Sequence, residues 1–176
     1  MKKVFSIIIA LFVTVAAYGQ SNLLRQRMEI AEIDVNDGEV TLEVFQMADN
    51  GQYYLSVGNL GVGDDIIQIQ IDPIFELFIP LGGTLAEAIQ VLEGLKDFYK
   101  ESPGTAMEID GCLSLANPSE SMEPVTVTSR RFIISRLLEF SVKRDEFIRA
   151  THIPRSDFNS LVTTVKLYQK IHPNEK

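Results

Sequence analysis

Two glycine turns set between alternating apolar runs constrain this chain more than any other feature. Asn36-Asp37-Gly38 separates a run marked by Met28, Ile30, Ile33 and Val35 from a second marked by Val40, Leu42, Val44 and the following Phe45-Gln46-Met47. Asp49-Asn50-Gly51 separates that run from a third, marked by Tyr53, Leu55 and Val57. Asp-Gly and Asn-Gly supply the positive φ angles that two-residue hairpin turns need, while period-two alternation turns one face of each strand inward. The folded part is therefore expected to begin as an antiparallel meander. Residues 20–27 before it read as a polar, loosely ordered lead-in.

The pattern continues with a glycine-rich loop, Asn59 to Asp65, and a fourth strand with Ile67, Ile69 and Ile71 on one face and Gln68 and Gln70 on the other. Asp72-Pro73 interrupts it, because proline removes a ladder donor, and Ile74 to Ile79 resumes the apolar run. The period then changes. Thr84-Leu85-Ala86-Glu87 is a capping box, and Leu85, Ile89, Leu92, Leu95 and Phe98 follow at helical spacing. Gly94 costs up to about 1 kcal/mol inside a helix, which implies that a neighbour approaches closely there. Ser102-Pro103-Gly104 stops the helix.

The second half repeats the plan. Met107, Ile109, Leu113 and Leu115 alternate, Val125 to Thr128 and then Phe132 to Val142 are strand-like, and Phe147 to Ile153 is a last strand. Pro154 and Ser156 open a second helix, whose stripe is Phe158, Leu161, Val162, Val165, Tyr168 and Ile171, and His172-Pro173 ends it. Ile79-Pro80 and Ile153-Pro154 each end a strand before a helix. From Leu85 and from Phe158 the apolar residues fall at the same offsets, +4, +7, +10 and +13. Residues 28–101 and 105–172 thus read as two β-sheet–helix units with pseudo-twofold symmetry, against the alternative that two amphipathic helices match by chance. The expected fold is a single α+β domain over 28–176. It holds a meander-type antiparallel sheet of about seven strands with both helices on one face.

Composition bounds the function. The 176 residues carry a net charge of −8 and one cysteine, and 45% are apolar. An acidic chain lacks the basic footprint of general nucleic-acid binding, and one cysteine builds no disulfide framework. The first residues have the layout of an export signal: Lys2 and Lys3, an apolar core from Val4 to Ala17, then Ala17-Tyr18-Gly19. That core is shorter than the roughly 20 residues of a membrane span. Cleavage after Gly19 would leave 157 residues at a net −10, without an integral membrane segment, in the periplasm or outside the cell.

Motifs for chemistry are sparse. Asp34 to Gly38 puts glycine at the fifth position and Phe45 at the twelfth, where a calcium loop needs glycine at the sixth and glutamate at the twelfth. Gly58, Gly61 and Gly63 precede two aspartates and no lysine, which suits no phosphate loop. His152 and His172 stand far from further ligands, so no metal site and no cofactor are expected. If Met107, Ile109 and Leu113 face the core, then Glu108, Asp110, Cys112 and Ser114 face outward. With Gln68 and Gln70 they form the expected ligand or partner face. A cysteine buried under a loop or partner is the plainer reading of Cys112. Arg130, Arg131 and Arg136, with Lys143 and Arg144, are the one basic concentration. On one continuous strand Arg130 and Arg136 share a face and Arg131 takes the other. They read either as charges that guard a sheet edge or as a dock for an anionic partner.

These features favour an exported, non-enzymatic binding or interaction module for a protein, peptide or small ligand, with self-pairing into a homodimer through a sheet edge as one version. A small hydrolase using Glu108, Asp110, Cys112 and His152 is the rival, and a structural envelope component is the third reading. A pocket on the sheet face opposite the helices would favour a ligand, and a flat apolar face there would favour a protein partner.

Overall fold

The computed structural model describes residues 27–35, 40–58, 61–62, 76–114, 124–144 and 147–173. The first turn signal, the Gln68–Gln70 strand and the 1–19 segment lie outside the described residues. The three opening strands form where the alternation puts them: β1 (Arg27–Val35), β2 (Val40–Met47) and β3 (Tyr53–Val57). Arg27, assigned above to the lead-in, is the first residue of β1 and pairs with Met47. The β2–β3 hairpin runs through five residues, Ala48 to Gln52, rather than two. Gly51 alone takes a positive φ there, +69°, and Asn50 Oδ1 accepts the Gln52 N–H at 2.8 Å.

The remaining elements are β4 (Gly61–Val62), β5 (Leu77–Gly82), α1 (Leu85–Phe98), β6 (Ala106–Ile109), β7 (Leu113–Ser114), β8 (Val125–Phe132), β9 (Ser135–Arg144), β10 (Phe147–Pro154) and α2 (Arg155–Ile171). The expected single sheet is two sheets. Their orders are β1-β2-β3-β5-β7 and β4-β10-β9-β8-β6, with every pairing antiparallel. Each consists of a four-strand meander laid down in chain order. To its last strand each adds one two-residue strand from the other half: β7 pairs with β5, and β4 pairs with β10. Alternation identifies strands but not their partners. The meander before α1 builds one sheet and the meander after it builds the other.

One core joins both sheets to both helices. It draws on Leu42, Val44, Leu55, Val57, Leu77 and Ile79 from the first sheet and on Val125, Val127, Leu138, Phe140 and Ile153 from the second. Leu85, Ala88, Leu92 and Leu95 of α1 and Phe158, Leu161, Val162 and Val165 of α2 complete it. The helices touch each other, and α2 lies on β1 of the first sheet as well as on β9 and β10 of the second. Tyr99, at the end of α1, is buried against Phe158 and donates its hydroxyl to the Ile153 carbonyl at 3.0 Å.

The capping box of α1 forms in full. Thr84 Oγ1 accepts the Glu87 N–H at 3.2 Å, and Glu87 Oε2 accepts the Thr84 N–H at 3.1 Å. At α2, Pro154 is the N-cap and no side chain caps the helix. Gly94 departs from its expected reason: a Cβ built there meets nothing within 4 Å, so no neighbour demands the glycine.

Candidate functional site

Alternate residues of a strand point to opposite sheet faces. On the first sheet one set of alternate residues from β2, β3 and β5 builds the core, so Glu43, Phe45, Met47, Tyr54, Ser56 and Phe78 turn to the face opposite. A solvated sheet face is usually polar. Here Phe45, Met47, Tyr54 and Phe78 are buried and form a second apolar cluster with Leu113. The Phe45 ring stacks on Tyr54 at 5.7 Å between centroids and meets Phe78 edge-on at 5.3 Å.

A polar cluster borders these rings. The Arg27 guanidinium lies 5.2 Å from the Phe45 ring centre. Its Nη1 is 3.1 Å from Glu43 Oε2 and 3.2 Å from Glu76 Oε1. The Ser56 hydroxyl donates to the same Glu76 oxygen at 2.5 Å. Four strands or strand edges thus converge: Arg27 from β1, Glu43 from β2, Ser56 from β3 and Glu76 just before β5. They line a cavity of about 250 Å³ together with Glu32, Thr41 and Gly58.

The electrostatics of this cavity favour neutralisation or a cation. Glu43 is 4% exposed, and burial pushes its carboxyl up to about 7. Arg27 opposes that shift, and the charges of Glu76, Glu29 and Glu32 add to it. Burial prevails because taking a carboxylate out of water costs more than one partly exposed guanidinium returns. Three carboxyls against one guanidinium leave the lining acidic. It can take an ammonium or guanidinium group, or hydroxyl donors, from a small polar molecule. Among the described residues no group of three or more His, Cys, Asp or Glu is placed to hold a metal ion.

The outer face of the second sheet carries a closed ion pair instead. Arg130 donates to Glu139 from Nε at 3.1 Å and from Nη2 at 3.0 Å, and His152 Nε2 lies 3.0 Å from Glu139 Oε2. The hydrogen bond from His152, reinforced by Arg130, holds the Glu139 carboxyl down at about 2 despite its burial. Such a carboxylate is a poor proton acceptor at neutral pH.

Among the described residues singled out from the sequence, Glu108 and Asp110 are exposed while Cys112 is buried. Gln68 and Gln70 lie outside the described residues, as do Gly63, Asp64 and Asp65. Alternation implies the exposure of Glu108 and Asp110. Cys112 departs from it: Gly111 takes φ +72°, the alternation breaks, and the thiol turns into the main core. It is fully buried, donates to the Ile109 carbonyl at 3.4 Å, and burial pushes it up to about 11. Ser114, on β7, pairs through its backbone with Leu77 of β5 in the first sheet. His172 caps α2 and stacks on Tyr168 at 4.3 Å.

The arginines are placed differently as well. Phe132 to Val142 is not one strand, because Ile133-Ile134 forms a turn between β8 and β9. That turn reverses the parity. Arg131 and Arg136 now stand opposite each other on one face, and Arg130 stands opposite Leu137 on the other. Arg27, Glu43, Ser56 and Glu76 were not foreseen. The available signal was Phe45, Met47, Tyr54 and Phe78, large apolar residues at outward positions, which imply a second occupied face. In comparisons with known proteins the chain matches no family model, no curated protein and no solved structure.

Proposed function

We propose that the chain is an exported, non-enzymatic binding module whose ligand site is the cavity of Arg27, Glu43, Ser56 and Glu76. The ligand is a small polar molecule bearing an amine or guanidine. The observation that carries this reading is the cavity's position and lining. It lies on the sheet face opposite the core and is acidic, and its buried carboxyl changes charge near neutral pH. An ammonium group entering beside Glu43 and Glu76 replaces lost water contacts with charge-assisted hydrogen bonds. The hydrolase reading has less support. Its thiol is buried in the core and protonated, Glu108 and Asp110 are exposed, and His152 is engaged with Glu139.

The Lys2-Lys3 pair and the Val4–Ala17 core support export with cleavage near Gly19. The common strand order of the two meanders, each followed by a helix, supports descent from a duplicated β-sheet–helix unit.

The test is calorimetric titration at neutral pH with putrescine, arginine, glucose and acetate. Binding is expected from the two amine-bearing compounds and not from acetate. Glu76→Gln removes one charged acceptor, worth roughly 1.5–3 kcal/mol, so it should weaken binding about tenfold or more. Binding of acetate in preference, or of none of the four, overturns the reading.

A further inference from the structure

The β8–β9 hairpin ends in a tip that departs from ordinary turn chemistry. Phe132, Ile133 and Ile134 are consecutive, and they are 67%, 77% and 85% exposed. Single exposed apolar residues are common on protein surfaces, but a contiguous cluster at a projecting point marks an interaction site. The two-residue turn that joins Phe132 to Ser135 normally takes Asn, Asp or Gly, which tolerate positive φ and water alike. Here Ile133 occupies φ +55°, a conformation that is an outlier for a β-branched side chain. The tip is thus both strained and apolar where an unstrained polar pair would close the same hairpin.

Charge stands directly behind it. Arg131 and Arg136 face each other one rung back from Phe132 and Ser135. Their hydrogen bonds go to neutral carbonyls: Arg131 Nε to Ile133 O at 3.1 Å, and Arg136 Nη1 to Glu101 O at 2.9 Å. Neither guanidinium is matched to a carboxylate among the described residues. In a chain of net charge −8, two such guanidiniums beside an apolar tip form a local surface of opposite sign to the whole.

We propose that this tip docks the protein on an anionic lipid bilayer. Ile133, Ile134 and Phe132 enter the interface, and Arg131 and Arg136 meet the lipid phosphates. The dimensions agree. At about 3.3 Å per strand residue, the arginine rung lies roughly 7 Å behind the Ile133-Ile134 turn. An interfacial element buries its apolar side about 5–10 Å into the headgroup boundary, so the backbone of the arginine rung lies at headgroup depth when the tip reaches the acyl chains, and both long side chains start within reach of the phosphates. A convex tip without a rigid complementary outline suits a fluid surface, and arginine engages phosphate oxygens in bidentate fashion. The surface belongs to the second sheet, so it stands or falls independently of the first-sheet cavity.

The test is co-sedimentation with vesicles, using the chain processed after Gly19 so that the Val4–Ala17 segment cannot carry the binding. Vesicles of equal parts phosphatidylcholine and phosphatidylglycerol should retain the protein, salt should release it, and pure phosphatidylcholine should retain far less. The double substitution Ile133→Asn with Ile134→Gly gives the hairpin an unstrained turn, so its unfolding midpoint should hold or rise while vesicle binding falls at least tenfold. Arg131→Gln with Arg136→Gln should weaken binding by roughly fivefold per arginine. Equal retention on both vesicle types, or undiminished binding of the Asn-Gly variant, overturns the proposal. So does concentration-dependent self-association abolished by the Asn-Gly change without vesicle binding, which would make the tip a contact between copies of the chain.

Discussion

Replacing Glu43 by glutamine removes a titration that the fold makes expensive. The carboxyl moves from 4.5 to about 7 on folding, and at 1.36 kcal/mol per pH unit this amounts to about 3 kcal/mol. Between those two values the folded protein retains a proton that the unfolded chain has released. Stability from this group is therefore complete below pH 4.5 and is lost as pH rises through about 7. The substituted glutamine keeps the side chain's shape and carries no charge at any pH. The difference in unfolding free energy, Glu43→Gln minus parent, should grow by about 3 kcal/mol from below pH 4.5 to above pH 7. The chain has no tryptophan, so far-UV circular dichroism in urea is the suitable assay. With denaturant slopes of about 1–3 kcal/mol/M, the midpoints should separate by roughly 1–3 M across the range. Parallel pH profiles for parent and variant would refute the reasoning: Glu43 would then be solvated, or Arg27 would neutralise it.

One further substitution and one labelling experiment probe the fold away from the site. Gly94→Ala should stabilise the protein by about 0.5–1 kcal/mol in urea unfolding, because the added Cβ meets no neighbour and alanine is the better helix former. Cys112 should resist a thiol reagent in the native state at neutral pH and react fully in denaturant, since its thiol is buried and held near 11. Rapid native labelling would contradict its placement in the core.

The sequence reveals what is local. Alternation places β1, β2 and β3, and the capping box places the start of α1, which ends at Phe98, ahead of the Ser102-Pro103-Gly104 stop. It conceals what depends on partners across the fold. Two-residue strands such as β4 and β7 carry no periodic signal, yet they link each sheet to the opposite half. The Ile133-Ile134 turn has no turn residue to announce it, so the facing of β9 relative to β8 is inverted from Ser135 onward. Gly111 does the same for Cys112. The cavity lies beyond local reasoning for a related reason. Its four polar groups come from three strands and the residue before a fourth, each at a position that alternation alone marks as ordinary surface. Only the outward Phe45, Tyr54 and Phe78 betray that this face is occupied.

The proposed binding site is the outer face of the first sheet, and amide NMR during titration with putrescine reports on it residue by residue. The expected shifts fall on Thr41, Glu43, Ser56 and Gly58, whose residues line the cavity, and they weaken in the Glu76→Gln protein. Shifts confined to the second sheet around Glu139 and His152, or an unchanged spectrum at saturating amine, would contradict the assignment of this cavity as the binding site.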